Sequence, residues 1–67
     1  MKSLPGPPTT EEIILLARTI GCRPTSLKAK VFAYFAKGYS LQELRLLLPR
    51  VKRETLRSYW NLWGDHS

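Results

Sequence analysis

From Thr9 onward the apolar side chains recur at steps of three and four. Ile13, Leu16, Ala17 and Ile20 share one face of a helix. Thr9 stands three residues before Glu12, the spacing at which a hydroxyl and a carboxylate cap a helix start reciprocally. Glu11 and Glu12 suit the positive end of the helix dipole, and Gly21 suits a left-handed stop. This pattern predicts a first helix over about 9–20. A connector through Arg23 and Pro24 leads to Thr25 or Ser26, either of which can cap a second helix over about 26–37. Its apolar face is Leu27, Val31, Tyr34 and Phe35, widened by Phe32 and Ala36, and Gly38 ends it. Ser40 and Glu43 repeat the capping spacing and start a short helix over about 40–48, through Leu44, Leu47 and Leu48. Pro49 has no N–H and biases the residue before it away from helical dihedrals. After a turn through Pro49 and Arg50, a fourth helix is expected over about 51–63, starting at Val51 or Lys52. Leu56, Tyr59 and Trp63 form its inward stripe, and Gly64 is the expected terminator.

No stretch alternates as a strand does, so the expected fold is all-α: four short helices in one domain over 9–64. Pro5, Pro7 and Pro8 mark 1–8 as a flexible leader, and 65–67 as a tail completes the chain. The 67 residues, 43% hydrophobic and 24% charged, have a globular composition. A chain this short buries about 60% of its unfolded surface, which leaves little room for an enclosed active site. The apolar runs fall far short of the roughly 20 residues a membrane span needs. No apolar segment follows Met1 and Lys2, so no signal peptide is expected. Cys22 is the single cysteine and cannot form an internal disulfide, which fits a reducing, cytoplasmic setting. One histidine and one cysteine cannot supply the four ligands of a structural zinc site. No acid–base pair, nucleophile–base pair or Gly-rich phosphate loop is visible. Neither an enzyme, a metal nor a cofactor is therefore expected. A chain that starts at Met1 is either a complete small protein or the first domain of a larger parent.

Charge sharpens the functional reading. Up to Cys22, Lys2 and Arg18 balance Glu11 and Glu12. After it stand Arg23, Lys28, Lys30, Lys37, Arg45, Arg50, Lys52, Arg53 and Arg57 against Glu43, Glu54 and Asp65, so the net charge of +6 lies entirely in the second part. Arg50, Lys52, Arg53 and Arg57 are the densest group. Arg53, Arg57 and Asn61 recur every four residues and so line one face of the fourth helix, away from Leu56, Tyr59 and Trp63. Such a row is often only a solvated surface. Like charges this close, with one Glu among them, instead favour a polyanionic partner.

A short capped helix, a tight turn and a second basic helix form a helix-turn-helix arrangement. Residues 38–59 resemble the helix-turn-helix of bacterial, archaeal and phage DNA-binding regulators, of the homeodomain-like tri-helical type. Gly38, Ser40, Glu43, Leu44, Thr55, Leu56 and Tyr59 carry the resemblance, which covers about a third of the chain. It implies a tri-helical core of the second to fourth helices with the first packed across it, and no wing. It also implies a third helix crossing the phosphate backbone and a fourth lying in the major groove of double-stranded DNA. Two features depart from the family. Arg45 stands where a small residue is usual, and the turn Leu48-Pro49-Arg50 lacks glycine and is one residue longer than the shortest form. A longer turn would let the helices separate and Arg45 swing outward.

The candidate DNA-binding residues follow. Arg53 and Arg57 are first, because arginine reads guanine bidentately. Arg50 and Lys52, at the start of the recognition helix, suit phosphate. Asn61 can read adenine. Ser40 and Gln42 can hold phosphate at the start of the third helix, Ser40 equally as a cap. Lys28, Lys37, Lys30 and Tyr39 are weaker phosphate candidates. Glu54 can accept from cytosine but more naturally bridges to Arg50, Lys52 or Arg57. Trp63 fits the core. Trp60, about 100° away, is expected half exposed, in the core edge, at a contact with a second protomer, or stacked on an unpaired base. Cys22 and His66 are expected to be inert. The leading function is a sequence-specific DNA-binding transcriptional regulator of the nucleoid, with a homodimer or a larger parent protein supplying further contacts. The alternatives are a recombinase or transposase DNA-binding domain, a module binding protein partners through Ile14 and Leu15, or a binder of single strands or RNA.

Overall fold

Four helices account for about two thirds of the described residues: α1 (Thr10–Ile20), α2 (Leu27–Ala36), α3 (Leu41–Leu47) and α4 (Arg53–His66). The structure, a computed structural model, describes residues 6–66, with His66 described by its backbone alone. Among these residues there is no strand. No helix is long and apolar enough to cross a membrane. Met1–Pro5 of the expected leader lie outside the described residues, as do the His66 side chain and Ser67.

The helix starts are built from short-range hydrogen bonds. The Thr9 hydroxyl accepts from the Glu12 N–H at 3.2 Å, and the Thr9 N–H donates to Glu12 Oε1 at 3.1 Å. The Ser40 hydroxyl accepts from the Glu43 N–H at 3.3 Å, and Ser40 N–H donates to Glu43 Oε1 at 3.0 Å. Both are complete capping boxes. Ser26 caps α2 by accepting from Ala29 N–H at 3.2 Å. Its own hydroxyl donates to the Arg23 carbonyl at 2.7 Å, folding the connector onto the helix start. Gly21 stops α1 at φ 74°, the left-handed region that a glycine enters without steric cost. Gly38 adopts φ 102° between α2 and α3. The Ser40→Ala variant is expected to lose about 1 kcal/mol, since it leaves an N–H of a seven-residue helix without its acceptor. The melting temperature followed by circular dichroism should fall by roughly 4–8 °C.

α2 is the central helix. α1 packs on α2, and α2 and α3 each pack on α4. Ala29, Val31, Phe32, Ala33 and Phe35 of α2 are all buried, joined by Ala17 of α1, Tyr39, Leu44 of α3 and Leu56 of α4. Small side chains at Ala17, Ala29 and Ala33 let neighbouring helix axes come close. The expected apolar face of α2 is corrected here. Leu27 is 40% exposed and Ala36 is exposed, while Ala29 and Ala33 are inside. A helix covered on two sides buries its small residues too, and those do not stand out in a periodic apolar pattern. On α3, Leu44 is buried, whereas Leu47 is half exposed.

Aromatic rings lock α2 to α4. Phe32 meets Tyr59 edge-on at 5.9 Å between centroids and Trp63 at 5.7 Å. Phe35 meets Trp60 at 4.9 Å, also edge-on. Each such pair contributes about 0.5–1.5 kcal/mol beyond area burial.

The boundaries of α4 differ from expectation at both ends. It begins at Arg53 rather than Val51 or Lys52. The chain turns over 48–52, where Val51 N–H donates to the Leu48 carbonyl at 3.1 Å, and the Lys52 carbonyl then accepts from Leu56 N–H at 3.1 Å. At the other end the helix runs through Gly64 to His66, so Gly64 is not its terminator and 65–66 are not a tail. Gly64 does not take the positive φ of a left-handed stop. Trp63, held against Phe32 and Phe35, anchors the turn before it.

Candidate nucleic-acid interface

The chemistry-bearing cations collect around the turn between α3 and α4. Capping by Ser40 fixes the start of α3, burial of Leu44 fixes its inward face, and the outward positions that remain are Gln42, Arg45, Leu46 and Leu47. On α4, burial of Leu56 and the ring contacts of Tyr59 and Trp63 point Arg53, Arg57 and Asn61 to solvent. All three are exposed, as are Arg50 and Lys52 on the approach to the helix.

Gln42, Arg45, Leu46, Pro49, Val51 and Arg53 surround one open depression of about 500 Å³. It brings the start of α3 and the start of α4 into a single surface. Its lining includes Leu46, 84% exposed, and carries two guanidinium groups and no carboxylate. Arg45 is the residue that sequence reasoning missed as a candidate. Its signal was present: Arg45 follows Gln42 by three, so the two share the outer face of α3. It stands outward, as the longer turn led one to expect.

Among the described residues no ion pair engages Arg45, Arg50, Lys52, Arg53 or Arg57. The salt bridge expected of Glu54 is therefore not formed. Glu54 is exposed at the start of α4, where it complements the helix dipole instead. The cations keep their full capacity for an external anion.

Other candidates are placed differently. Ser40 is half-buried and its hydroxyl oxygen is engaged as a cap. Lys28 is half-buried on α2 with its Nζ 5.7 Å from the Phe32 ring centroid, a cation–π position. Lys30 is exposed on the same helix. Lys37 is tied to α1: its Nζ lies 2.7 Å from Glu12 Oε2. Tyr39 is a core residue, buried and edge-on to Tyr34 at 5.0 Å, which corrects its expected surface role. Trp60 is 40% exposed with one edge on Phe35, the half-exposed position expected of it. Cys22 is half-buried, 3.6 Å from the Ser26 hydroxyl.

Lys37 and the Thr9 N–H together hold the Glu12 carboxyl below the usual glutamate range, the hydrogen bond from Lys37 being the larger cause. A folded pKa below the unfolded one adds stability above the unfolded value and loses it as the pH falls through the folded value. The packing of α1 on α2 is therefore expected to weaken below about pH 4.3, the ordinary glutamate pKa. Thermal melts of the native chain and Glu12→Gln should differ at pH 7 and draw together as the pH falls through the folded pKa.

Comparison with protein-family models, with curated proteins and with solved structures returned no match to this chain.

Proposed function

We propose that this chain binds double-stranded DNA sequence-specifically through α3 and α4, acting as a transcriptional regulator in the nucleoid or as the DNA-binding domain of a larger protein. The observation that carries the reading is the exposed row Arg53, Arg57 and Asn61, flanked by Arg45, Arg50 and Lys52, with no internal carboxylate paired to any of them among the described residues. A duplex supplies the missing counter-charge. Its major groove, about 12 Å wide, admits one α-helix. In this docking α4 lies in the groove as the recognition helix of a helix-turn-helix. Arg53 and Arg57 face base edges, and Asn61 reaches adenine where the helix follows the groove. Arg50, Lys52, Gln42 and Arg45 hold the flanking phosphates and fix the register. Lys28, on the central helix beside Phe32, and Lys37, paired to Glu12, contribute little.

An amide NMR titration with a short duplex of random sequence tests this reading. Shifts concentrated at 42–61 support it. Shifts confined to α1, or none at low salt, would contradict it. A recombinase or transposase domain would dock in the same way. A second reading, a helical module for protein partners, draws on the exposed Leu15 and Leu46. It predicts binding insensitive to salt and to loss of Arg53 and Arg57.

A further inference from the structure

We propose that α1 is a self-association face, through which two copies of this chain pair antiparallel about a two-fold axis near Leu15. Such pairing is independent of DNA binding. Glu11, Leu15 and Arg18 are exposed and lie on one face of α1, at steps of four and three. Leu15 is 63% exposed, while Ala17 is buried and Leu16 and Ile20 are partly buried against the core. Beside it, between α1 and α2, an open depression of about 310 Å³ is lined by Leu15, Leu16, Ala33 and Ala36, with Thr19 and the Lys37–Glu12 ion pair also at its wall. The small side chains of Ala33 and Ala36 leave room there for a leucine.

Charge selects the occupant. Glu11 precedes Leu15 by four residues and Arg18 follows it by three. When two such helices run antiparallel about Leu15, Glu11 of each copy faces Arg18 and Thr19 of the other. The stripe is complementary to itself, as a two-fold interface requires. Residues 1–22 carry no net charge, and Lys37, which lines the depression, is paired to Glu12. Thr19 makes no competing demand, because its hydroxyl donates to the Leu15 carbonyl at 3.0 Å. Stable interfaces bury about 1,200 Å² or more, and one 11-residue helix with its flank offers less. The pair is therefore weak and forms at high protein concentration, or when a second surface holds both copies.

Sedimentation equilibrium of the full chain over a wide concentration range tests the proposal. The native chain should show a monomer–dimer equilibrium. Leu15→Glu should weaken it about tenfold or more, and melting by circular dichroism should be unchanged because the side chain is outside the core. Glu11→Arg and Arg18→Glu should each weaken self-association, since each sets like charges opposite one another. A one-to-one mixture of those two variants should recover dimer, because opposite charges then face across the hetero-pair. A native chain that stays monomeric at the highest concentration overturns the proposal. So does a Leu15→Glu variant that dimerises as the native chain does, or a mixture no better than its components.

Discussion

Phe32→Ala is expected to unfold the domain or bring it to the edge of unfolding. Phe32 is fully buried on the central helix and holds Tyr59 and Trp63 of α4 edge-on. Removing a buried phenylalanine costs about 3–5 kcal/mol through forfeited transfer energy and the cavity left behind. At about 0.05–0.15 kcal/mol per residue, a domain of this size has roughly 3–10 kcal/mol in total. The loss therefore consumes a large share of the whole. It also loosens α4, because Phe32 supplies the α2 ring for Tyr59 and one of the two for Trp63. Urea unfolding followed by circular dichroism should show the native transition shifted to far lower denaturant or absent. Leu27→Ala, on the outer side of the same helix, should cost about 1 kcal/mol or less. A Phe32→Ala variant that unfolds within a few tenths of a molar of the native chain would contradict this account of the core.

The second large effect concerns binding. The Arg53→Ala, Arg57→Ala double variant is expected to lose DNA affinity by about a hundredfold or more, at about 1–3 kcal/mol for each good bidentate contact. The two side chains are one turn apart, so their effects are coupled rather than strictly additive. The mode of loss separates their roles. If they hold phosphates, the slope of log affinity against log salt falls by about 0.9 for each contact. If they read bases, the slope stays and the preference for one sequence over random duplex collapses. Both residues are exposed, so the variant should melt as the native chain does. Lys37→Ala should show the reverse: DNA affinity near native, while the acid-sensitive tie between α1 and α2 disappears. A double variant that binds as the native chain does would remove α4 from the interface.

Local chemistry explains which parts of this fold can be read from sequence. The Thr9–Glu12 and Ser40–Glu43 boxes and the stop at Gly21 involve partners a few residues apart, so their spacing announces them. α1 and α3 start where expected for that reason. Tertiary packing decides the rest. Which side chains of α2 are inside depends on what covers it from both flanks. Ala29 and Ala33 are therefore buried where the pattern had placed Leu27 and Ala36. Gly64 reads as a stop from composition, yet Trp63 keeps the preceding turn helical. The same division holds for the candidate site. The exposure of Arg53, Arg57 and Asn61 follows from the inward stripe of α4. The pairing of Lys37 with Glu12, the burial of Tyr39 and the meeting of Arg45 with Arg53 around one depression join separate elements, which spacing along the chain does not encode.

DNA binding by α4 is tested most directly by a fluorescence-anisotropy titration of the native chain against labelled random duplex DNA at two salt concentrations. Binding is expected at low salt and should weaken steeply at higher salt, with a log–log slope of about 0.9 for each phosphate neutralised. Arg45, Arg50 and Lys52 on phosphates imply a slope of about −2.7, rising to about −4.5 where Arg53 and Arg57 hold phosphates as well. No rise in anisotropy at low salt, or binding indifferent to salt, would contradict a basic helix docked on a duplex.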